Sequence, residues 1–257
     1  MILGCDIGTG FTKGVVLQDG NVAYATRVET RARPARAMEA VLEDIAAVRG
    51  IGAGDFEEIV VTGWGQGKAG TDCRTEATIS CLARAAVWAE PACRSVLCMG
   101  TQQSVALSLG PAGRVLQYIA NDKCASGAGK FLEMILEALE CPVERSAEIA
   151  RCADKKLPIS SQCAVFAESE VVSLIHEGES PANIVAAILE HLAKSLVSLC
   201  RKVNLRDPLL VAGGLANNPQ IVALLEEGLR RRVCSFRPGP DFIAAVGAAL
   251  SGRRGAA

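Results

Sequence analysis

The apolar positions of the chain fall first into a strand period. Ile2-Leu3-Gly4-Cys5-Asp6-Ile7 predicts a strand, Gly8-Thr9-Gly10 a turn, and Thr12 to Leu17 a second strand. Asp19-Gly20 is a hairpin signal, and Val22 to Val28 predicts a third strand. The same order returns in mid-chain. Ser95 to Met99 reads as a strand, Gly100-Thr101 as a turn, Ser104 to Leu109 as a strand, Pro111-Ala112-Gly113 as a turn and Val115 to Ile119 as a strand. Gly8-Thr9 and Gly100-Thr101 fall at matching places, so the pattern predicts an internal duplication that extends to turn chemistry.

Between and after these units the period changes to that of a helix. Pro34 suits a first helical turn, Met38, Val41, Leu42, Ile45 and Val48 follow at helical spacing, and Gly50 can close the helix. Ile59-Val60-Val61 is a short buried strand closed by Gly63, and Thr75 to Ala89 reads as a helix. Phe131, Leu132, Ile135, Leu136 and Leu139 form one apolar stripe. Further helices are expected over 144–153, 163–177, 182–203, 217–231 and 241–251, and Leu209 to Ala212 is a strand running into Gly213-Gly214. The expectation is an α/β protein of two duplicated halves around a cleft, 1–93 and 94–240, with 241–257 as a C-terminal helix able to return to the first half.

Composition narrows the class of partner. A chain of 257 residues buries a sizeable core, here rich in Ala, Val, Leu and Ile because aromatics are only 4%. A net charge of −1 with dispersed Lys and Arg argues against a nucleic-acid surface. The longest apolar helical stretch, Ile184 to Cys200, carries Glu190, His191 and Lys194, so no membrane span is expected. Met1-Ile2-Leu3-Gly4 leads straight into a strand without a basic segment, which argues against a secretory signal. Eleven cysteines, an odd number with no Cys-x-x-Cys, make a poor disulfide framework. A reduced, anaerobic cytoplasm fits better.

Three loops carry candidate phosphate chemistry. In Asp6-Ile7-Gly8-Thr9-Gly10-Phe11-Thr12-Lys13 a strand delivers a carboxylate beside a glycine turn whose backbone N–H groups, with Thr9, Thr12 and Lys13, can cradle phosphate. Asp6 is placed to hold Mg2+ through water. A glycine hairpin with a solvated Asp is the plain alternative. Gly100-Thr101-Gln102-Gln103-Ser104 is the matching loop, and two facing hairpins would grip a polyphosphate from both sides. In Val211-Ala212-Gly213-Gly214-Leu215-Ala216-Asn217-Asn218 the glycines let a flat base or ribose approach the backbone before a helix N-terminus, unless they only make a tight turn.

Cys124 and Cys163 each stand at a turn that opens a helix, where free N–H groups and the helix dipole stabilise a thiolate. A cubane iron–sulfur cluster wants four thiolates, and two facing chains would supply them. Two ordinary buried cysteines are the other reading. Cys5, Cys98 and Cys200 read as core, and Cys73, Cys81, Cys93, Cys141, Cys152 and Cys234 show no ligand spacing. His176 and His191 read as surface or cap residues, Arg230-Arg231-Arg232 as a solvated helix end with partner docking as the alternative, and Glu168 and Glu170 as first-turn capping residues with an acid–base pair as the alternative.

The order of loop, loop and late Gly-Gly resembles the actin, Hsp70 and sugar-kinase superfamily of ATPases, whose fold is actin-like (ribonuclease H-like). The segments Asn121 to Glu133 and Cys163 to Glu170, with Thr62-Gly63-Trp64-Gly65 and the helix near Glu76, resemble a narrower family. It comprises the activators of 2-hydroxyacyl-CoA dehydratases and the ATP-binding subunits of benzoyl-CoA reductase. The resemblance implies a dimer, either a homodimer or one with a paralogous subunit. It implies one [4Fe-4S] cluster shared by Cys124 and Cys163 of each chain, with ATP/ADP and Mg2+ as the other cofactors. It implies ATP-driven transfer of one low-potential electron from ferredoxin or flavodoxin to a partner acyl-CoA dehydratase or reductase.

The nucleotide residues it implies are Gly8, Thr9, Gly10, Thr12, Lys13, Gly100, Thr101, Gln102, Ser104, Gly127, Gly129, Lys130, Gly213, Gly214, Leu215 and Asn217, with Asp6 and Gln103 in the catalytic positions. Two departures bear on hydrolysis: Gln103 stands where the family commonly has an acid, and Cys98 where an Asp often precedes the loop. Glutamine can orient a water but cannot act as a base. A small-metabolite kinase and a non-hydrolysing nucleotide or redox sensor are the competing readings, and a subunit fixed within a larger reductase is a variant of the first.

Overall fold

The computed structural model describes residues 1–70, 72–121, 129–159 and 164–252. Its two five-stranded sheets repeat one topology. In the first, β1 (Ile2–Ile7), β2 (Phe11–Gln18) and β3 (Asn21–Glu29) form an antiparallel meander. β4 (Glu58–Thr62) and β5 (Arg74–Thr75) extend it parallel to β1, in the order β3-β2-β1-β4-β5. In the second, β6 (Ser95–Met99), β7 (Ser104–Leu109) and β8 (Val115–Ala120) repeat the meander. β9 (Leu209–Ala212) and β10 (Val233–Ser235) extend this sheet in the order β10-β9-β6-β7-β8. The α/β duplication expected from the pattern is therefore present strand for strand. β5 and β10 lie outside that expectation. They are two and three residues long, too short for an alternation to show.

Eight helices cover the sheets among the described residues: α1 (Pro34–Arg49), α2 (Thr78–Ala89), α3 (Gly129–Ala138), α4 (Ser146–Arg151), α5 (Ala164–His176), α6 (Pro181–Arg201), α7 (Pro219–Leu229) and α8 (Ile243–Ala249). Several start later than the periodicity suggests. Arg74 and Thr75 are drawn into β5, so α2 begins at Thr78. Short 3₁₀ turns precede α4 and α8. Asn218 caps α7, its Oδ1 accepting from the N–H groups of Gln220 (2.9 Å) and Ile221 (3.1 Å), so that helix starts after 217. It ends where Arg230 turns left-handed at φ 53°. α6 is the one described helix long and apolar enough to cross a membrane, and 67% of its apolar window is buried in the second core.

The core has three main parts. α1 packs on the first sheet through Met38, Val41 and Ile45, and α3, α6 and α7 pack on the second around Phe131. Between them α2 and α8 join the halves through Leu82, Ala86, Leu107 and Val246. α8 lies against α2, β1 and β4 with its backbone in close approach. A Cβ on Gly4 would overlap Ala245 and Ala249, and one on Gly247 would overlap Cys81.

His191 departs from its expected surface role. It is half-buried on α6, its ring edge-on to Phe131 with centroids 5.9 Å apart, and its buried Nε2 has no hydrogen-bond partner. Burial and Lys194 hold its pKa below the ordinary value, while Glu170 and the Ile159 carbonyl oppose that shift. Positions 188, 191, 192 and 196 share one helical face, so the apolar neighbours draw the ring inward.

Candidate nucleotide cleft

The β1–β2 turn and the β6–β7 turn face one another at the mouth of a cleft of about 1170 Å³ between the sheets. Each is closed in the same way. Gly8 N donates to Phe11 O at 3.1 Å, and Gly100 N donates to Gln103 O at 3.0 Å. The two turns nearly touch, since a Cβ on Gly10 would stand 2.7 Å from Thr101 Oγ1. The third loop completes the wall. Gly213 adopts φ +87° with its Cα against the Met99 backbone, a position closed to any side chain, while the space beside Gly214 is open.

Asp6 and Lys13 sit opposite one another in the β1–β2 ladder. Lys13 Nζ donates to Asp6 Oδ2 at 3.1 Å, with side chains only 15% and 13% exposed. The Thr62-Gly63-Trp64-Gly65 loop wraps their base: Gly65 N bonds to Ile7 O at 2.9 Å, and Gly63, at φ +91°, leaves no room for a Cβ beside Asp6. Cys98 also lines the cleft and is half-buried, which corrects its reading as core. Burial of its sulfur, then the Asp6 charge, push the thiol up to about 12, against the opposing pull of Lys13. It is a neutral group at physiological pH.

The structure brings Asp6, Thr9, Gly10, Lys13, Gly100, Thr101, Gly129, Lys130, Gly213, Gly214, Leu215 and Asn217 to the cleft wall. Gly8, Thr12, Gln102, Gln103 and Ser104 are not among its lining residues. Thr12 is fully buried with its hydroxyl 2.9 Å from that of Thr30. Ser104 is buried, its N–H donating to Asn121 Oδ1 at 2.7 Å. Gln102 and Gln103 are exposed, and Gln103 contributes its main-chain carbonyl to the hairpin.

The N-terminus of α3 is bonded to the second hairpin, with Gly129 N to Gly100 O at 3.0 Å and Lys130 N to Thr101 O at 2.7 Å. Sequence reasoning missed Arg27 and Asp241, which also line the cleft, as do Glu133 and Asn218, which lie within the quoted segments but were given no role. The register that sets Arg27 opposite Lys13 was the available signal for the first.

Cys124, Cys163 and Gly127 lie outside the described residues. Among the described residues no group of three or more His, Cys, Asp and Glu side chains is placed to hold a metal ion. The nine described cysteines are free. Burial pushes Cys81 and Cys93 to about 11 and Cys200 to about 12, and raises Cys5 further, so these thiols are poor ligands.

Two duplicated sheets with facing glycine hairpins at the mouth of one cleft define an actin-like ATPase. The chain belongs to the BadF/BadG/BcrA/BcrD ATPase family, whose model matches residues 3–252. It is 32% identical over 248 residues to the 2-hydroxyisocaproyl-CoA dehydratase activator of Clostridioides difficile, covering 96% of this chain and 93% of that protein. It is 32% identical over 248 residues to the activator of lactoyl-CoA dehydratase of Anaerotignum propionicum, covering 96% and 95%. A benzoyl-CoA reductase component of Thauera aromatica is 30% identical over 259 residues, covering 97% and 92%. Among solved structures, the activator of the 2-hydroxyisocaproyl-CoA dehydratase from Clostridium difficile with bound ADPNP superposes with a TM-score of 0.91 at 31% identity, covering 97% of this chain and 92% of that one.

Proposed function

We propose that the chain is an ATP-dependent activator that binds Mg-ATP in this cleft and delivers one low-potential electron to a partner acyl-CoA dehydratase or reductase. The observation that carries this reading is the bonding of α3 to the second hairpin through Gly129 and Lys130. A helix that opens just after Cys124 is thereby fixed to a phosphate loop, so closure around nucleotide must move both together.

The residues present fit a nucleotide. Backbone N–H groups of Thr9, Gly10 and Thr101, at the turns that Gly8 and Gly100 close, take the phosphates. Lys13 turns from Asp6 to the phosphates, freeing Asp6 to hold Mg2+ through water. The open space beside Gly214, with Leu215 and Asn217, receives the nucleoside. Lobes 1–93 and 94–240 close on it, with 241–257 returning to the first.

Cys124 and Cys163 are proposed as cluster ligands on the resemblance of their segments alone. A [4Fe-4S] cluster bound by two chains supplies the one-electron couple. Its setting is a reducing cytoplasm, with a homodimer or a paralogous pair as the assembly and ferredoxin or flavodoxin as the donor.

A second reading, a nucleotide sensor with little turnover, is favoured by one observation. Gln103 is exposed and Cys98 is neutral, so neither offers a base to water in the cleft. Anaerobic purification, with iron, sulfide and bound nucleotide counted per dimer, tests both. Wild type holding about four irons per dimer, lost in Cys124→Ser and Cys163→Ser, is expected. A reconstituted wild type without them removes the cluster, and absence of Mg-ATP binding removes both readings. Binding without phosphate release selects the sensor.

A further inference from the structure

Arg27 lies on β3 directly opposite Lys13 of β2, on the sheet face that lines the cleft. Its Nη1 donates to Asp241 Oδ2 at 3.2 Å, and its guanidinium carbon stands 5.2 Å from the centroid of the Phe11 ring. Phe11 is the residue whose carbonyl closes the first hairpin. Asp241 sits in the turn Pro240–Phe242 that leads into α8, and its side chain is only 8% exposed. Pro240 O accepts from Gly213 N at 2.7 Å, and Gly213 lies against the Met99 backbone at the root of the second hairpin. One path of contacts, from Phe11 through Arg27, Asp241, Pro240 and Gly213 to Met99, thus ties the two hairpins together around the cleft.

An exposed ion pair would carry little consequence. This pair differs in two ways. The carboxylate is buried although the guanidinium is 51% exposed, so the cost of losing the pair falls on Asp241, and the guanidinium is held a second time by an aromatic face. Asp241 and Arg27 are 214 residues apart and stand at the junction where the turn before α8 meets β2 on one side and β9 on the other.

We propose that Arg27 is a positioning residue, a strut that sets the separation of the two phosphate hairpins and through it the affinity for nucleoside triphosphate. The proposal rests on the nucleotide reading of the cleft. Lys13, on the same face and one strand away, then meets phosphate at a distance fixed by Arg27 rather than by its own flexible stem.

The test uses the full chain with Mg-ADPNP as the probe. Calorimetric Kd values for Arg27→Gln and Asp241→Asn are each expected to rise about tenfold, the double variant no further, and Arg27→Lys to fall between. Hydrolysis by these variants at saturating Mg-ATP is expected to match wild type, so that KM moves and kcat does not. Hydrogen exchange without nucleotide is expected to quicken over residues 7–13 and 99–105 in Arg27→Gln. Unchanged Kd values beside a lowered Tm would overturn the proposal and leave an ordinary stabilising pair. If wild type takes up no Mg-ADPNP, the nucleotide reading fails, and hairpin exchange equal in wild type and Arg27→Gln would overturn the strut independently.

Discussion

Gly8 and Gly100 occupy the same place in their hairpins. A Cβ on the first would come within 2.8 Å of the Phe11 carbonyl oxygen, and one on the second within 2.6 Å of the Gln103 carbonyl oxygen. The next residues diverge. Where the first hairpin pairs Asp6 with Lys13 across its ladder, the second pairs Cys98 with Val105. The duplicated backbone has kept what steric exclusion demands, while at this ladder position side-chain charge stands in the first hairpin only. Within the two ladders, an anion would meet a carboxylate–ammonium pair from the first hairpin and an uncharged pair from the second, where the nearest cation, Lys130, comes from the start of α3 instead. Such a cleft can hold phosphate without being equally equipped to activate water.

The largest expected effect breaks the charged side. Asp6→Asn removes the proposed Mg2+ anchor and leaves Lys13 unpaired, and phosphate release should fall by about a hundredfold. Steady-state hydrolysis at saturating Mg-ATP measures it, and a loss under threefold would remove Asp6 from the chemistry. The shared backbone is tested by Gly8→Ala and Gly100→Ala. Both should lower the unfolding free energy by about 1–3 kcal/mol, and by similar amounts, in urea titrations. Unequal losses would show that the two turns are not mechanically equivalent.

Cys98→Asp makes the second hairpin resemble the first. It should tighten Mg2+ binding by about tenfold, read from hydrolysis against Mg2+ concentration, because a second charged oxygen ligand faces the metal. An unchanged Mg2+ dependence would place Cys98 away from the metal. The smallest effect concerns stability. Burial moves the Cys98 thiol from 9.0 to about 12. Between those values the unfolded chain has lost a proton that the folded chain keeps, so stability falls as pH rises, and below 9 the contribution is intact. Cys98→Ala should make the alkaline decline of the urea midpoint shallower; an unaltered slope would mean that its sulfur meets water.

The hairpins and the central strands were legible because local rules produce them. Alternation, a glycine turn and a buried apolar run each act within a few residues, as in Ile2 to Leu17 and Ser95 to Leu109. The cleft position of Cys98 was legible by analogy, since it matches Asp6 across the duplication, but its apolar neighbours Leu97 and Met99 masked its face. β5 and β10 were not legible, because two or three residues pair only where a longer neighbouring strand already waits. The Arg27–Asp241 contact depends on packing between segments 214 residues apart, which no local pattern encodes. Arg74 likewise reaches Ser251 to tie β5 to the turn that follows α8. Cys124 and Cys163 remain readable through their wording alone.

The seat of α8 has a consequence for synthesis. Its seven residues fill the face of β1, β4 and α2, and nearly all of them are fully buried. During translation the first sheet leaves the ribosome before the piece that covers it, and the whole second sheet is made in between. At about 5–20 residues per second, the stretch from Ala89 to Ile243 takes roughly eight to thirty seconds. For that interval the first sheet carries an uncovered apolar face, and Gly4 of β1 waits for the helix whose backbone it is shaped to receive.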